Sequence, residues 1–126
     1  LSRMRLVFYR YLINSYLPYH YMELNMIEKK YLKSKPVCKV KFALSKEQVA
    51  NAKSIALVGE FNNWDVSATP MRKQKSGVYA STINLPIDQA YQFRYLLDGN
   101  IWINDENADD YVASQVGHEC NCVVHV

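Results

Sequence analysis

Two tryptophans and one arginine are the residues of this chain best suited to hold a ligand without reacting with it. Trp64 closes the segment FNNW, and Trp102 follows an Asp98-Gly99 turn. An indole in a polar turn keeps a flat apolar face partly in solvent. Such a face suits a sugar ring, whose C–H side is apolar while its hydroxyls need hydrogen-bond partners. Arg94, between Phe93 and Tyr95 but pointing to the other side of its strand, could supply donors beside an exposed indole. Tryptophan is mostly buried in folded chains, so capping a core is the plainer reading of Trp64 and Trp102 from spacing alone. For Arg94 the plainer reading is a solvated strand position.

Two other clusters invite chemistry and fail on spacing. HECNCVVH at 118–125 holds two cysteines and two histidines, but C-x-C with flanking histidines does not match structural zinc sites. On a strand, Cys120 and Cys122 share a face, and small thiols facing a core are the simpler expectation, as for Cys38. NDENADD at 104–110 gathers four carboxylates without the calcium-loop pattern. Paired acids can cleave glycosidic bonds. These crowd one loop with no second set facing them, so a solvated acidic loop is expected. With no phosphate-cradling glycine loop, nucleophile elbow or Ser/His/Asp set, the reading is no enzyme, no metal and no cofactor.

The elements that must position these residues are strands. Cys38, Val40, Phe42 and Leu44 alternate with Lys39 and Lys41, as a half-buried strand requires. SKEQVANAK reads as a loop or a single helical turn, SIALVGEF as a second strand, and NNWDVSATP as turns. A short strand follows around Met71. VYASTINL alternates with Tyr79, Ser81 and Ile83 on one side. In YQFRYLL, Tyr91, Phe93, Tyr95 and Leu97 take one face, while Gln92, Arg94 and Leu96 take the other. Asp98-Gly99 supplies a positive-φ hairpin turn back into Ile101-Trp102-Ile103. A last strand is expected at about 121–126. Seven or eight short strands without long helices between them indicate an all-β fold, an antiparallel β-sandwich.

Charge divides the chain in two. The 126 residues carry 15 Lys+Arg against 12 Asp+Glu, a net charge of +3. Residues 1–36 hold seven basic and two acidic residues (+5), leaving 8 against 10 (−2) for the rest. Residues 1–21 are read as a poorly ordered or non-native arm, because Met22 offers a natural start. Arg10 interrupts any signal-like apolar stretch, and Asn14, Ser15, Pro18 and His20 break any membrane span. Residues 22–36 are read as a short basic N-terminal helix, about 22–33, and a linker. Leu24, Ile27 and Tyr31 stand at helical spacing there, and Pro36 would stop the helix. The charge is modest and carries no recognition motif, so no nucleic-acid partner is expected. An odd count of three cysteines argues against a secreted disulfide framework and suggests a reduced, cytoplasmic protein.

LVGEFNNWD at 57–65, Pro70-Met71, YQFRYLLDG at 91–99 with Trp102 beyond, and a closing SQVG…NCVVHV come in an order more specific than any one of them. Over about 37–126 the chain resembles the glycogen-binding type of carbohydrate-binding module, family 48, the isoamylase N-terminal early-set domain. Kin by this resemblance include the glycogen-binding domain of AMP-activated kinase β subunits. KKYLKSKPVCKVKF is similar to small stand-alone bacterial early-set proteins. The resemblance implies an immunoglobulin-like early-set β-sandwich at 37–126 and a non-catalytic α-glucan-binding function, for α-glucan oligosaccharide or glycogen. By it, Trp64 and Trp102 stack on glucose rings, Arg94 and Asn121 bond hydroxyls, and Val116 packs against a ring. Asn62 and Asn63 shape the turn. The match to Asn121 takes a one-residue gap; without it Cys120 would hold that place. Ile101 is inserted before Trp102, and His118 stands where some members have Thr. A glycogen-metabolism enzyme or regulatory protein is the partner such a module implies. The alternative is a protein-interaction or regulatory early-set domain that binds no sugar and docks through its N-terminal helix.

Overall fold

The computed structural model describes residues 27–117 and 119–126. The described residues form nine short strands: β1 (Glu28–Tyr31), β2 (Val37–Leu44), β3 (Ile55–Gly59), β4 (Arg72–Lys73), β5 (Tyr79–Pro86), β6 (Ala90–Leu97), β7 (Ile101–Ile103), β8 (Asp110–Ala113) and β9 (Cys120–His125). One sheet runs β1-β2-β5-β4 and the other β3-β6-β9-β8, with β7 also paired to β6. All pairings are antiparallel. A single helical turn, α1 (Lys46–Val49), follows β2, with the Ser45 hydroxyl accepting from the Gln48 N–H and the Gln48 side chain accepting from the Ser45 N–H. The fold is therefore the all-β sandwich that the strand pattern predicts. No helix among the described residues is long and apolar enough to cross a membrane.

The core lies between the sheets. Cys38, Val40, Phe42, Leu44 and Leu85 from the first meet Ile55, Leu57, Phe93, Tyr95, Leu97, Cys122 and Val124 from the second. Each large apolar side chain so enclosed contributes about 1.5–3 kcal/mol relative to exposure. Phe93 makes edge contacts with Phe42 at 5.0 Å and Tyr95 at 5.7 Å between ring centroids. The faces of β6 are those read from the sequence, with Phe93, Tyr95 and Leu97 inward. The chain passes from one sheet to the other after β3. Leu57 N–H donates to Thr69 O and Met71 N–H to Ile55 O along the β3 edge, before β4 pairs with β5.

Three expectations need correction. Residues 28–31, within the stretch expected to be helical at 22–33, form strand β1 paired with β2; residues 1–26 lie outside the described residues. The local helical spacing loses to cross-strand bonds on an available edge. The inward position of Lys29 adds an ion pair to Asp109 of the opposite sheet's loop, at 2.6 Å. Second, the acidic loop is not wholly solvated, since Asp105 is only 3% exposed. Third, Cys122 faces the core but Cys120 is exposed, because it opens β9 at the end of the sheet, beyond the packed layer.

Candidate functional site

The register of the second sheet assembles its outer face. Residues opposite one another in antiparallel strands share a face, so Val58 sits beside Arg94, and Ala56 and Trp102 flank Leu96. Gln92 pairs with Val123, and Val112 with Asn121. One step beyond the last β6–β9 pair, Phe93–Cys122, stand Arg94 and Asn121. This face and the loops at its edge enclose an open groove of about 700 Å³. Its lining includes Trp64, Arg94, Trp102, Val116 and Asn121. The five residues singled out in the sequence as sugar contacts, from five separate places in the chain, all stand in this lining.

Trp64 is held by a tight turn. Asn62 caps it from within: its Oδ1 accepts from Gly59 N–H at 3.0 Å, and its Nδ2 donates to Leu57 O at 2.9 Å and Thr69 Oγ1 at 3.1 Å. Asn62 is spent on the turn, as anticipated. Asn63 and Trp64 both have positive φ, 56° and 58°, a conformation Asn tolerates better than most residues and Trp does not favour. The Trp64 N–H is tied to Gly59 O at 2.8 Å, and Phe61 packs on Phe42 with centroids 5.7 Å apart. Asp65 completes the turn by accepting from the Ser67 N–H and hydroxyl, bonds that lower its pKa, the backbone one most. A strained backbone pinned at several points leaves the Trp64 indole 37% exposed.

Trp102 is delivered by the β6–β7 hairpin. Asp98 and Gly99 both have positive φ, as the turn signal requires, and Asn100 N–H returns to Leu97 O at 3.1 Å. The Asp98 carboxylate also accepts from the Lys53 and Ser54 N–H groups at 2.8 and 3.0 Å. The Ser54 bond, then the Lys53 bond, hold its pKa below the usual value. Trp102 is also 37% exposed. Neither indole is buried as a core cap.

Arg94 is fixed from three directions. Nε donates to Asn104 Oδ1 at 2.8 Å, Nη1 pairs with Glu119 Oε2 at 2.6 Å, and Cζ lies 5.9 Å from the Trp102 ring centroid. That last contact is a cation–π arrangement worth about 0.5–1 kcal/mol where exposed. Asn104 is in turn fixed through its neighbour. Buried Asp105 accepts from the Tyr95 hydroxyl at 2.6 Å and from Asn107 N–H at 2.8 Å, while Asp105 O accepts from the Tyr111 hydroxyl at 2.6 Å. Asp105 N–H donates to Cys122 Sγ at 3.0 Å. Burial first, and then Asp105, push the Tyr95 pKa well above its ordinary value. Burial pushes the Cys122 thiol up to about 12.

Asn121 Nδ2 donates to Gln92 Oε1 at 3.0 Å across the groove floor. Asn121 stands in the groove lining and Cys120 outside it. Val116 stands 86% exposed on a loop held by Ser114, whose hydroxyl donates to Val116 O and accepts from its N–H.

Sequence reasoning missed Gln92, Glu60, Val66, Val112 and Glu119, which also line the groove. For Gln92 the signal was present, since it shares the Arg94 face at a spacing of two. Glu60 engages the Gln92 N–H at 2.6 Å, and only the folded turn reveals it. Glu119 lies in an irregular loop, where no periodicity could assign it a face.

The two-sheet scaffold presents two partly exposed indoles, hydrogen-bonding side chains and an exposed aliphatic residue along one open groove. Arg94, Asn121 and Gln92 are held by hydrogen bonds, and both indoles keep part of their surface exposed. The chain belongs to a carbohydrate-binding family: the model for carbohydrate-binding module 48 (isoamylase N-terminal domain) matches residues 40–111, more than half of its length. A 38-residue stretch is 53% identical to a 1,4-alpha-glucan-branching enzyme of Aspergillus oryzae (strain ATCC 42149 / RIB 40). That stretch is 30% of this chain and 6% of the enzyme, so the chain spans only a small part of that relative.

Proposed function

We propose that the groove binds α-glucan chains of the glycogen or starch type and performs no catalysis. The observation that carries this reading is the presence of Trp64 and Trp102, equally exposed, in the lining of one groove. Glucose rings would stack on the two indoles, each contact worth roughly 1 kcal/mol. Arg94, Asn121 and Gln92 would meet hydroxyls, and Val116 would cover a ring edge. The likeness to a glucan-branching enzyme supports α-glucan as the substrate class. Binding should be weak, because an open surface with few contacts must offset the cost of association. Three unpaired thiols among the described residues support a reducing, cytoplasmic setting. A glycogen-metabolism enzyme is the partner that a glucan surface would bring near.

Tryptophan fluorescence during titration with maltoheptaose or β-cyclodextrin tests the reading. A saturable change is expected, reduced about fivefold or more in affinity by Trp64→Ala or Trp102→Ala, the worth of one aromatic contact. No response in the wild-type chain, or affinity unchanged in both variants, overturns it.

A further inference from the structure

The ion pair between Arg94 and Glu119 bears on which glycans the groove accepts. Among its described lining residues, Glu60, Arg94 and Glu119 carry formal charge, so their sum is negative. Arg94 is the one cation among them, and it is not presented openly. An arginine grips a carboxylate or phosphate by offering two neighbouring nitrogens at once, either Nη1 with Nη2 or Nε with Nη2. Here Nη1 is engaged by Glu119 and Nε by Asn104, so each gripping edge has one nitrogen already committed. The Arg94 side chain is only 12% exposed, whereas that of Glu119 is 66% exposed. An arriving ligand therefore meets the carboxylate more readily than the guanidinium. The Glu119 backbone is itself secured, since its carbonyl accepts from Ser114 N–H at 2.9 Å across the loop that carries Val116.

We propose that Glu119 sets the charge preference of the groove: by engaging Arg94 it makes the lining favour neutral glycans and disfavour those bearing carboxylate or phosphate groups. This rests on the glycan-binding reading above and adds a specificity-determining residue to it. A hydroxyl can share a committed guanidinium, because it needs only one donor and can itself donate to the carboxylate. An anionic substituent must displace Glu119 or endure its repulsion. The effect is electrostatic and partly exposed, so it should fade as salt rises.

The test is calorimetric titration of the full chain, at low ionic strength, with neutral β-cyclodextrin and with carboxymethyl-β-cyclodextrin. Wild type should bind the neutral ring more tightly than the anionic one. Glu119→Gln keeps the side-chain shape and should narrow that ratio by roughly twofold to fivefold, the worth of one exposed charge pair. Glu47→Gln, on α1 and outside the groove, changes net charge equally and should leave the ratio alone. A wild type that binds the two rings equally, or a ratio unmoved by Glu119→Gln, overturns the inference while leaving the glycan reading standing. Equal narrowing by Glu47→Gln also overturns it, by assigning the preference to net charge. A wild type that binds neither ring removes both.

Discussion

Removing one hydroxyl from the core should measurably unsettle both stability and the groove. Tyr95→Phe keeps the ring and its contact with Phe93 but deletes the 2.6 Å bond to Asp105 Oδ2. Asp105 is buried, so water cannot simply replace the lost donor. Hydrogen bonds to carboxylates, and the penalty for leaving such a group short of a partner, put the loss at about 2 kcal/mol. For a domain of about 100 residues, that lowers Tm by roughly 8–16 °C. Urea unfolding followed by circular dichroism should show a lower midpoint with an unchanged slope. Because the Tyr95 phenol is pushed well above its ordinary pKa, the difference between wild type and variant should be constant across neutral pH. Asn104 adjoins Asp105 and holds Arg94 Nε, so the folded variant should also bind maltoheptaose more weakly. A stability loss below about 0.5 kcal/mol, the range of uninvolved surface changes, would refute the claim that this bond anchors the β7–β8 loop.

Three further outcomes follow from other parts of the molecule. Gly59→Ala should cost about 1–3 kcal/mol through overpacking, because a Cβ there would lie 2.6 Å from Gln92 O and 2.8 Å from Phe93 Cβ; unfolding at the wild-type midpoint would contradict this. Asp98 has a folded pKa below the unfolded one, so its contribution is present above the usual carboxylate range and is lost as pH falls through the folded value. Asp98→Ala should therefore destabilise the chain at pH 7 and much less at pH 2, and Asp98→Asn, which retains an acceptor, should be milder at pH 7; equal effects of Asp98→Ala at both pH values would count against the turn's role. Iodoacetamide followed by peptide mass analysis should find Cys120 modified well before Cys38 or Cys122 in the folded chain, since Cys120 alone of the three is exposed and the Cys122 thiol is raised to about 12; comparable labelling of all three would contradict the packing.

The strands that build the groove were legible because each has its own period. The inward set Phe93, Tyr95 and Leu97 and the outward pair Gln92 and Arg94 follow from alternation on β6 alone, and the Asp98-Gly99 turn announces the reversal that delivers Trp102. What alternation cannot show is partnership between distant segments. β1 carries only four residues, and its strand form depends on the free edge of β2 and on Asp109 across the sandwich, neither of which is local to EKKY. Asp105 looked solvated among three other acids because its partner, the Tyr95 hydroxyl, comes from the strand before the hairpin. Cys120 and Cys122 do share a strand face, but depth along that face decides burial, and depth is set by where the opposing sheet ends. Glu119 escaped notice for the same reason: its meaning lies in Arg94, 25 positions earlier.

The central claim, that Trp64 and Trp102 form one α-glucan site, is met most directly by the two indole N–H signals in a ¹H–¹⁵N correlation spectrum of the chain. During titration with maltoheptaose both signals should shift along a single saturation curve, and cellohexaose, which presents the same glucose units through β-linkages, should move neither to a comparable extent. Signals that stay in place with maltoheptaose, that follow two different curves, or that respond equally to cellohexaose would contradict it.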